Sequence, residues 1–352
     1  MTPLEKLIAA IIADEGPMRL DRYMGLCLGH PEHGYYMSRD PFGARGDFIT
    51  APEISQIFGE LIGVWCMAAW QAMGAPAAFN LVELGPGRGT LMADMLRAAA
   101  KAMPDFAASA AALHLVETSP VLRALQKKTL GEKVRWHDSI EAVPEGPVIA
   151  VANEFFDALP IRQFERRAGT WHERVIGLAE GRLAPGLSPA EIGQGGQDGD
   201  VIEFAPLRSA VARQLGQHLA QAPGAALIID YGHLQTAPGD TLQAMRKHQF
   251  VAITEAPGEC DITSHVDFEA LGKAMAQGGA SVHRAITQRD FLLAMGLAQR
   301  TEMLATKTDV RTRGVLERQM TRLADADQMG NLFKVISATS PALPVPYPFG
   351  RT

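Results

Sequence analysis

Apolar positions fall on one helical face at Leu4, Leu7, Ile8, Ile11 and Ile12 and stop at Gly16-Pro17, which predicts an opening amphipathic helix. A second short helix is predicted over 20–28 and a long one from about 53 to 73. Between them, residues 30–52 are rich in Gly, Pro, Tyr and charge and read as an ordered loop. From Phe79 the pattern shortens. Apolar runs at 79–84, 113–117, 134–136, 147–152 and 225–229 read as strands, with an Ala/Leu/Met-rich helix to about Lys101 after the first. Another helix follows the second strand, opened by Ser119 as N-cap with Pro120 and closed by Gly131.

Strands alternating with helices imply a mostly parallel sheet with right-handed crossovers, and ligands at the carboxyl ends of its strands. At 161–167 and 171–178 apolar and polar residues alternate, and a glycine-rich turn follows at 193–200, so a β-rich insertion is expected there. Helices are predicted at 268–277 and 310–326, and a last strand at 332–337. The expected organisation is an N-terminal helical or lid region at 1–75, a core built from 76–160 and 225–352, and an insertion with its following helix at 161–224.

Composition narrows the function classes. With 352 residues and 47% hydrophobic content the chain buries a large core. A net charge of −6 supplies no global basic field, so no nucleic acid partner is expected. Cys27, Cys66 and Cys260 are too far apart for a CxxC metal half-site or a disulfide framework, and no metal is expected. The apolar stretch 57–73 is interrupted by Glu60 and Gln71 and carries Gly59 and Gly63, which reads as a core helix; no stable membrane insertion is expected. The opening residues lack the character of a signal or transit peptide, which predicts a cytoplasmic setting.

The segment Val82-Glu-Leu-Gly-Pro-Gly-Arg-Gly-Thr90 carries the candidate chemistry. Gly85 and Gly87 let the backbone approach a ligand that a Cβ would repel, and the helix start after Gly89 offers free amides. A dinucleotide fingerprint needs glycine where Thr90 stands, and a Walker loop needs a following Gly-Lys-Ser/Thr. Glu83 at the loop entrance suits the cationic end of S-adenosylmethionine and would repel a pyrophosphate. Glu117 ends the next strand, where an acid can accept from ribose hydroxyls, and Asp138-Ser139 follow the third strand near the expected adenine edge. Each acid can instead cap a helix.

Further segments carry a family resemblance: Gly46-Asp-Phe-Ile-Thr-Ala-Pro-Glu53 with Ile57-Phe-Gly-Glu60, Glu83 to Thr90, and Asn153-Glu-Phe-Phe-Asp-Ala-Leu-Pro160. To these add Ile229-Asp-Tyr-Gly232, Gly239-Asp-Thr-Leu-Gln-Ala244, Pro257 to His265 and Met329 to Val335. The chain resembles the MidA-like methyltransferases, relatives of the mitochondrial complex I assembly factor that methylates a protein arginine. The resemblance implies an α/β fold, the class I methyltransferase (Rossmann-like) seven-stranded sheet, with S-adenosylmethionine as cofactor. It also implies a protein substrate, with an arginine on a respiratory complex I subunit as the acceptor in the mitochondrial relatives.

Methyl transfer to a guanidinium needs carboxylates that orient the cation and take a proton. Glu154 is the first catalytic candidate and Asp157 the second, with Asn153 beside the cofactor; the alternative is that both acids cap the turn while Phe155 and Phe156 fill the core. Asp47, Thr50 and Glu53 are candidates for a lid over the cofactor, with Thr50 as a simple helix N-cap the alternative. Two rival functions share these residues: a small-molecule methyltransferase and a non-catalytic cofactor-binding assembly factor.

Overall fold

The computed structural model describes residues 1–38, 50–110 and 112–350. Its main sheet contains, in chain order, β1 (Asn80–Leu84), β2 (Ala112–Val116), β3 (Val134–His137), β4 (Val148–Asn153), β5 (Gly224–His233), β6 (Ser281–Val282) and β7 (Phe333–Thr339). They lie in the order β6-β7-β5-β4-β1-β2-β3, and two short strands, Val266–Asp267 and Ile286–Thr287, extend β5 and β7. The five strands from β5 to β3 are parallel, and β7 runs antiparallel to both its neighbours. This is the expected mostly parallel seven-strand path.

Both faces of the sheet are buried, and the period of two sorts the side chains between them. Leu81, Ile149 and Leu227 join one core with helices α3 (Gln56–Ala72) and α4 (Thr90–Ala102). Val82, Ala150 and Ile228 join the other with α6 (Pro206–Gln221) and α7 (Phe268–Gln277); α5 (Pro120–Leu130) follows β2, and α8 (Val310–Ala324) precedes β7. Helices α3 and α4 approach closely at the predicted glycines: a Cβ on Gly59 would lie 2.5 Å from Asp94 Cβ, and one on Gly63 3.0 Å from Met95 Cα. Among the described residues no helix is long and apolar enough to cross a membrane.

A third core unites the chain start with an antiparallel sheet. Strands Met18–Arg19, Arg162–Arg167, Thr170–Ala179, Arg182–Ala190 and Val201–Phe204 form that sheet, and the helices α1 (Pro3–Glu15) and α2 (Leu20–Gly29) pack on it through Leu4, Ile8, Tyr23 and Met24 against Ile176 and Leu183. The helix after this sheet, α6, instead packs on the main sheet.

One local reading changes and two details are added. The long helix predicted over 53–73 is two helices, Ala51–Ile54 and α3, because Ser55 is extended (φ −154°) and its hydroxyl accepts from Ile57 N at 3.3 Å. Strand Arg182–Ala190, within the expected β-rich insertion but not singled out there, carries Pro185 and Pro189; it pairs on one side only, as proline-bearing strands do. Between the end of α4 and β2 the Ala-rich chain forms one further short helix, Pro104–Ser109, restarted by its proline.

Candidate functional site

Three turns at the carboxyl ends of β1, β2 and β4 meet around one cavity of about 510 Å³, with a side hollow of about 40 Å³. In the first turn Gly85, Gly87 and Gly89 have φ of 64°, 52° and 80°, a left-handed run that side chains resist. Gly85 N donates to Val116 O at 3.0 Å and Gly89 N to Pro86 O at 2.7 Å. Gly85 and Gly87 line the cavity. Gly89 lines neither hollow; a Cβ there would meet Leu130 Cδ1 at 3.1 Å, so its smallness serves packing against α5.

Glu83 is buried beneath this turn and borders the side hollow. Met92 N donates to it, and burial pushes its carboxyl up to about 8. Thr90 Oγ1 donates to Glu53 Oε1 at 2.6 Å and Arg88 stands 3.7 Å from Glu53 Oε2, so the helix Ala51–Ile54 is tied onto the glycine turn. Thr50 precedes that helix without a side-chain cap bond and lines both hollows, whereas Asp47 lies outside the described residues.

At the end of β2, Glu117 Oε1 accepts from Ser119 N at 2.8 Å and Oε2 from Gln126 Nε2 at 3.2 Å, while burial raises its carboxyl above the usual range. Gln126, fully buried, also donates to Gly87 O at 2.7 Å and accepts from Trp136 Nε1 at 2.8 Å. This cross-brace fixes the first turn against the second. Asp138 is 84% exposed and accepts from Arg123 Nη2 at 2.6 Å, and Arg123 Nε holds Glu117 O at 2.7 Å. Asp138, Ser139 and Glu117 all line the cavity.

The turn after β4 is built differently. Glu154 adopts a left-handed φ of 51° without being glycine. Its Oε1 accepts from Ala51 N at 3.1 Å and Asn153 Nδ2 at 3.0 Å, and burial pushes its carboxyl up to about 7. Asp230, at 0% exposure on β5, supports the turn from below: its Oδ2 accepts from the amides of Phe155, Phe156 and Asp157 at 3.2, 2.9 and 3.2 Å, and Oδ1 from Tyr231 N at 3.0 Å. Burial, with Asp157 and Glu154 nearby, raises Asp230 well above its ordinary value. Three amides of this turn are thus capped by Asp230, alongside the backbone bonds that Glu154 accepts from Ala51 and Asp157 from Ala158. Arg208, buried, donates to the carbonyls of Asp157, Ser264 and His265 and locks the far end.

Glu154, Phe155 and Asp157 thus reach one cavity with Glu117, Gly85 and Gly87. Phe156 is core, while Phe155 packs its ring over Gly85, 2.7 Å from where a Cβ would stand. Sequence reading missed Asp230, Gln126 and Arg208, whose partners lie far off in sequence. It also missed Tyr36, whose hydroxyl donates to Asp261 Oδ1 at 2.9 Å and whose carbonyl accepts from Ser119 Oγ at 2.6 Å over the cavity.

Three acceptor atoms here are buried with no hydrogen-bond partner among the described residues: Glu83 Oε2, Asn153 Oδ1 and Asp157 Oδ1. Buried acceptors left alone are costly, and three around one pair of hollows fit ligands that bring donors and positive charge. S-adenosylmethionine, with its ammonium and sulfonium, meets that requirement.

Residues 61–286 match the family described as "putative S-adenosyl-L-methionine-dependent methyltransferase". Curated relatives include proteins named protein arginine methyltransferase NDUFAF7, mitochondrial. That of Danio rerio is 37% identical over 96% of this chain and 87% of its own length, and that of Homo sapiens 36% identical over 88% and 77%. Among solved structures, a protein from Burkholderia thailandensis bound to S-adenosyl-homocysteine superposes with a TM-score of 0.83 at 29% identity, covering 96% of this chain and 91% of that one. One expectation is corrected. These relatives are mitochondrial by name, so the cytoplasmic setting inferred from the opening residues does not stand; the character of a short leading segment does not decide compartment.

Proposed function

The chain belongs to this S-adenosyl-L-methionine-dependent methyltransferase family, and from that premise we propose that it methylates an arginine side chain of a protein, with a respiratory complex I subunit as the acceptor protein. The observation that carries the acceptor reading is the pair of carboxyls, Glu154 and Asp157, raised by burial on one wall of the cavity, with Asp157 Oδ1 unpartnered among the described residues.

When bound, the cofactor supplies a methyl group on a sulfonium. Gly85 and Gly87 give backbone access, Glu117 receives the ribose hydroxyls, Asp138 and Ser139 stand at the adenine edge, and Glu83 with Asn153 faces the amino-acid end. Thr50, Glu53 and Thr90 close the side hollow; Gly89 acts by packing. A guanidinium stays protonated in water, so it must be oriented and relieved of a proton. Glu154 and Asp157 accept its N–H groups, leaving one nitrogen facing the methyl group, and Glu154 takes the proton. The cation's arrival favours ionisation of both acids, which burial alone opposes. Glu154 is held for this by Ala51 N and Asn153, so its oxygen needs little reorganisation.

Glu154→Gln keeps the shape and removes the base. The expected result, with labelled cofactor and arginine peptides, is a turnover loss of about 10²–10³-fold with cofactor affinity within about threefold of the parent. The parent's rate should rise as pH climbs through about 7, where Glu154 loses its proton, and the variant should lack that limb. Unchanged turnover removes Glu154 from the reaction, and a methylated product at some other side chain ends the arginine reading.

A further inference from the structure

Helix α8 carries four arginines and one glutamate in a chain of net charge −6. At 100° per residue, Arg311, Arg318 and Arg322 fall within about 40° of one line, flanked by Gly314 and Val315. The opposite face is the packed one: Leu323 and Ala324 are buried, and Leu316 and Met320 pack against the core. Arg313 and Glu317 lie off the stripe, and Arg313 donates to Ala305 O. The three stripe arginines are exposed, and among the described residues none forms an ion pair with another side chain.

The stripe ends beside the wall that carries Glu154, although no residue of α8 lines either hollow. The carboxyl-terminal part of α8 packs near the helix Ala51–Ile54, whose Ala51 N holds Glu154, and the positive charge of Arg322 acts on the Glu154 carboxyl. From Arg322 to Arg311 the helix rises about 16 Å, the reach of about five residues of extended polypeptide. A basic track therefore leads outward from an acidic cavity.

Resting on the arginine-methyltransferase reading, we propose that this stripe docks an acidic segment of the protein substrate, with Asp or Glu about three to eight residues from the arginine that enters the cavity. The cavity repels anions and the stripe repels cations, so the pair selects an arginine followed or preceded by acids and disfavours arginine-rich sequences. Guanidinium groups grip carboxylates bidentately, which suits such a partner. Nucleic acid fits less well: no aromatic side chain stands on this face to stack on a base.

The test uses the full chain, a fluorescent arginine peptide with three glutamates in that window, and its glutamine counterpart. The Arg311→Glu/Arg318→Glu double variant leaves Arg322, which touches the Glu154 field, in place. At low salt the acidic peptide should bind at least about tenfold more tightly than the neutral one. That preference should vanish in the double variant and at high salt, with cofactor affinity and kcat on the neutral peptide unchanged. An Arg311→Gln/Arg318→Gln variant showing an intermediate loss separates charge from misfolding. Equal binding of the two peptides, or a preference that survives the double variant, overturns the proposal. So does arginine-dependent binding to anionic phosphatidylglycerol vesicles or to RNA without a preference between the peptides. If the acidic peptide binds through the stripe but is never methylated, the surface assignment stands and the arginine-methyltransferase reading falls.

Discussion

The turns after β1 and β4 both bend the chain sharply at the carboxyl end of a central strand, yet they hold that bend by opposite means. After β1, three glycines take left-handed backbone at little cost, and the acid beneath them, Glu83, is left with one oxygen unpartnered among the described residues. After β4, Glu154 takes a left-handed φ at a cost of about 1–2 kcal/mol, and a carboxylate on the neighbouring strand holds the turn. Asp230 accepts three successive amides on one oxygen, which ties the turn down in the conformation that strains Glu154. The first turn is a mould for a ligand that brings its own charge; the second is a prestressed mount for two acids.

The largest effect should come from dismantling the mount. Asp230→Ala leaves three amides without their acceptor in a buried site, and a stability loss of roughly 3–5 kcal/mol is expected by denaturant titration. Asp230→Asn retains an acceptor and should recover much of that loss, while turnover stays depressed because the turn carrying Glu154 and Asp157 loosens. A fully active, fully stable Asp230→Ala protein would mean that the turn holds itself.

A smaller effect separates ligand access from backbone freedom in the first turn. Gly85 and Gly131 have similar φ, 64° and 78°, but a Cβ at Gly85 would lie 2.7 Å from the Phe155 ring, whereas nothing stands within 4 Å at Gly131. Gly131→Ala should cost about 1–3 kcal/mol in stability from its backbone alone, and Gly85→Ala at least as much because the ring must also shift. Only Gly85→Ala should also weaken cofactor binding, by about tenfold or more, because the displaced ring moves into the cavity. Equal affinities in the two variants would leave Gly85 as an ordinary turn residue.

The same contrast explains what was legible in the sequence. The glycine turn announces itself because its conformational need is met by the residues in it, and the helix from Pro120 to Leu130 was legible for the same reason, with cap, proline and stop all local. The parallel sheet followed from strand and helix periods. Asp230 reads only as an acid ending a strand; its function depends on a strand pairing that places it under residues about 75 positions earlier. Gln126 likewise bridges Gly87 and Glu117 across 39 and 9 positions, and a glutamine on a helix carries no mark of that. The break at Ser55 and the proline-bearing edge strand escaped because propensity alone does not say where pairing or capping will override it.

The finest distinction between the turns is in their protons. Burial raises Glu83 to about 8 and Glu154 to about 7, so the folded protein binds protons at these sites that an unfolded chain has already released. Their contribution to stability is therefore fully present below about 4.5 and is lost as pH rises through 7 and 8. A cation favours the ionised form of its neighbour, so cofactor binding at pH 7 should expel a proton from Glu83, approaching one per site, and the cofactor's stabilising effect should grow with pH across this window. Calorimetric titration in buffers of different ionisation enthalpy measures that release directly. Glu83→Gln should abolish it and Glu154→Gln should leave it intact, because the Glu154 carboxyl answers to the guanidinium of the acceptor and not to the cofactor's charge. If instead the release survives Glu83→Gln and disappears in Glu154→Gln, the cofactor's charge lies at the second turn, and the assignments of cofactor mould and catalytic mount change places.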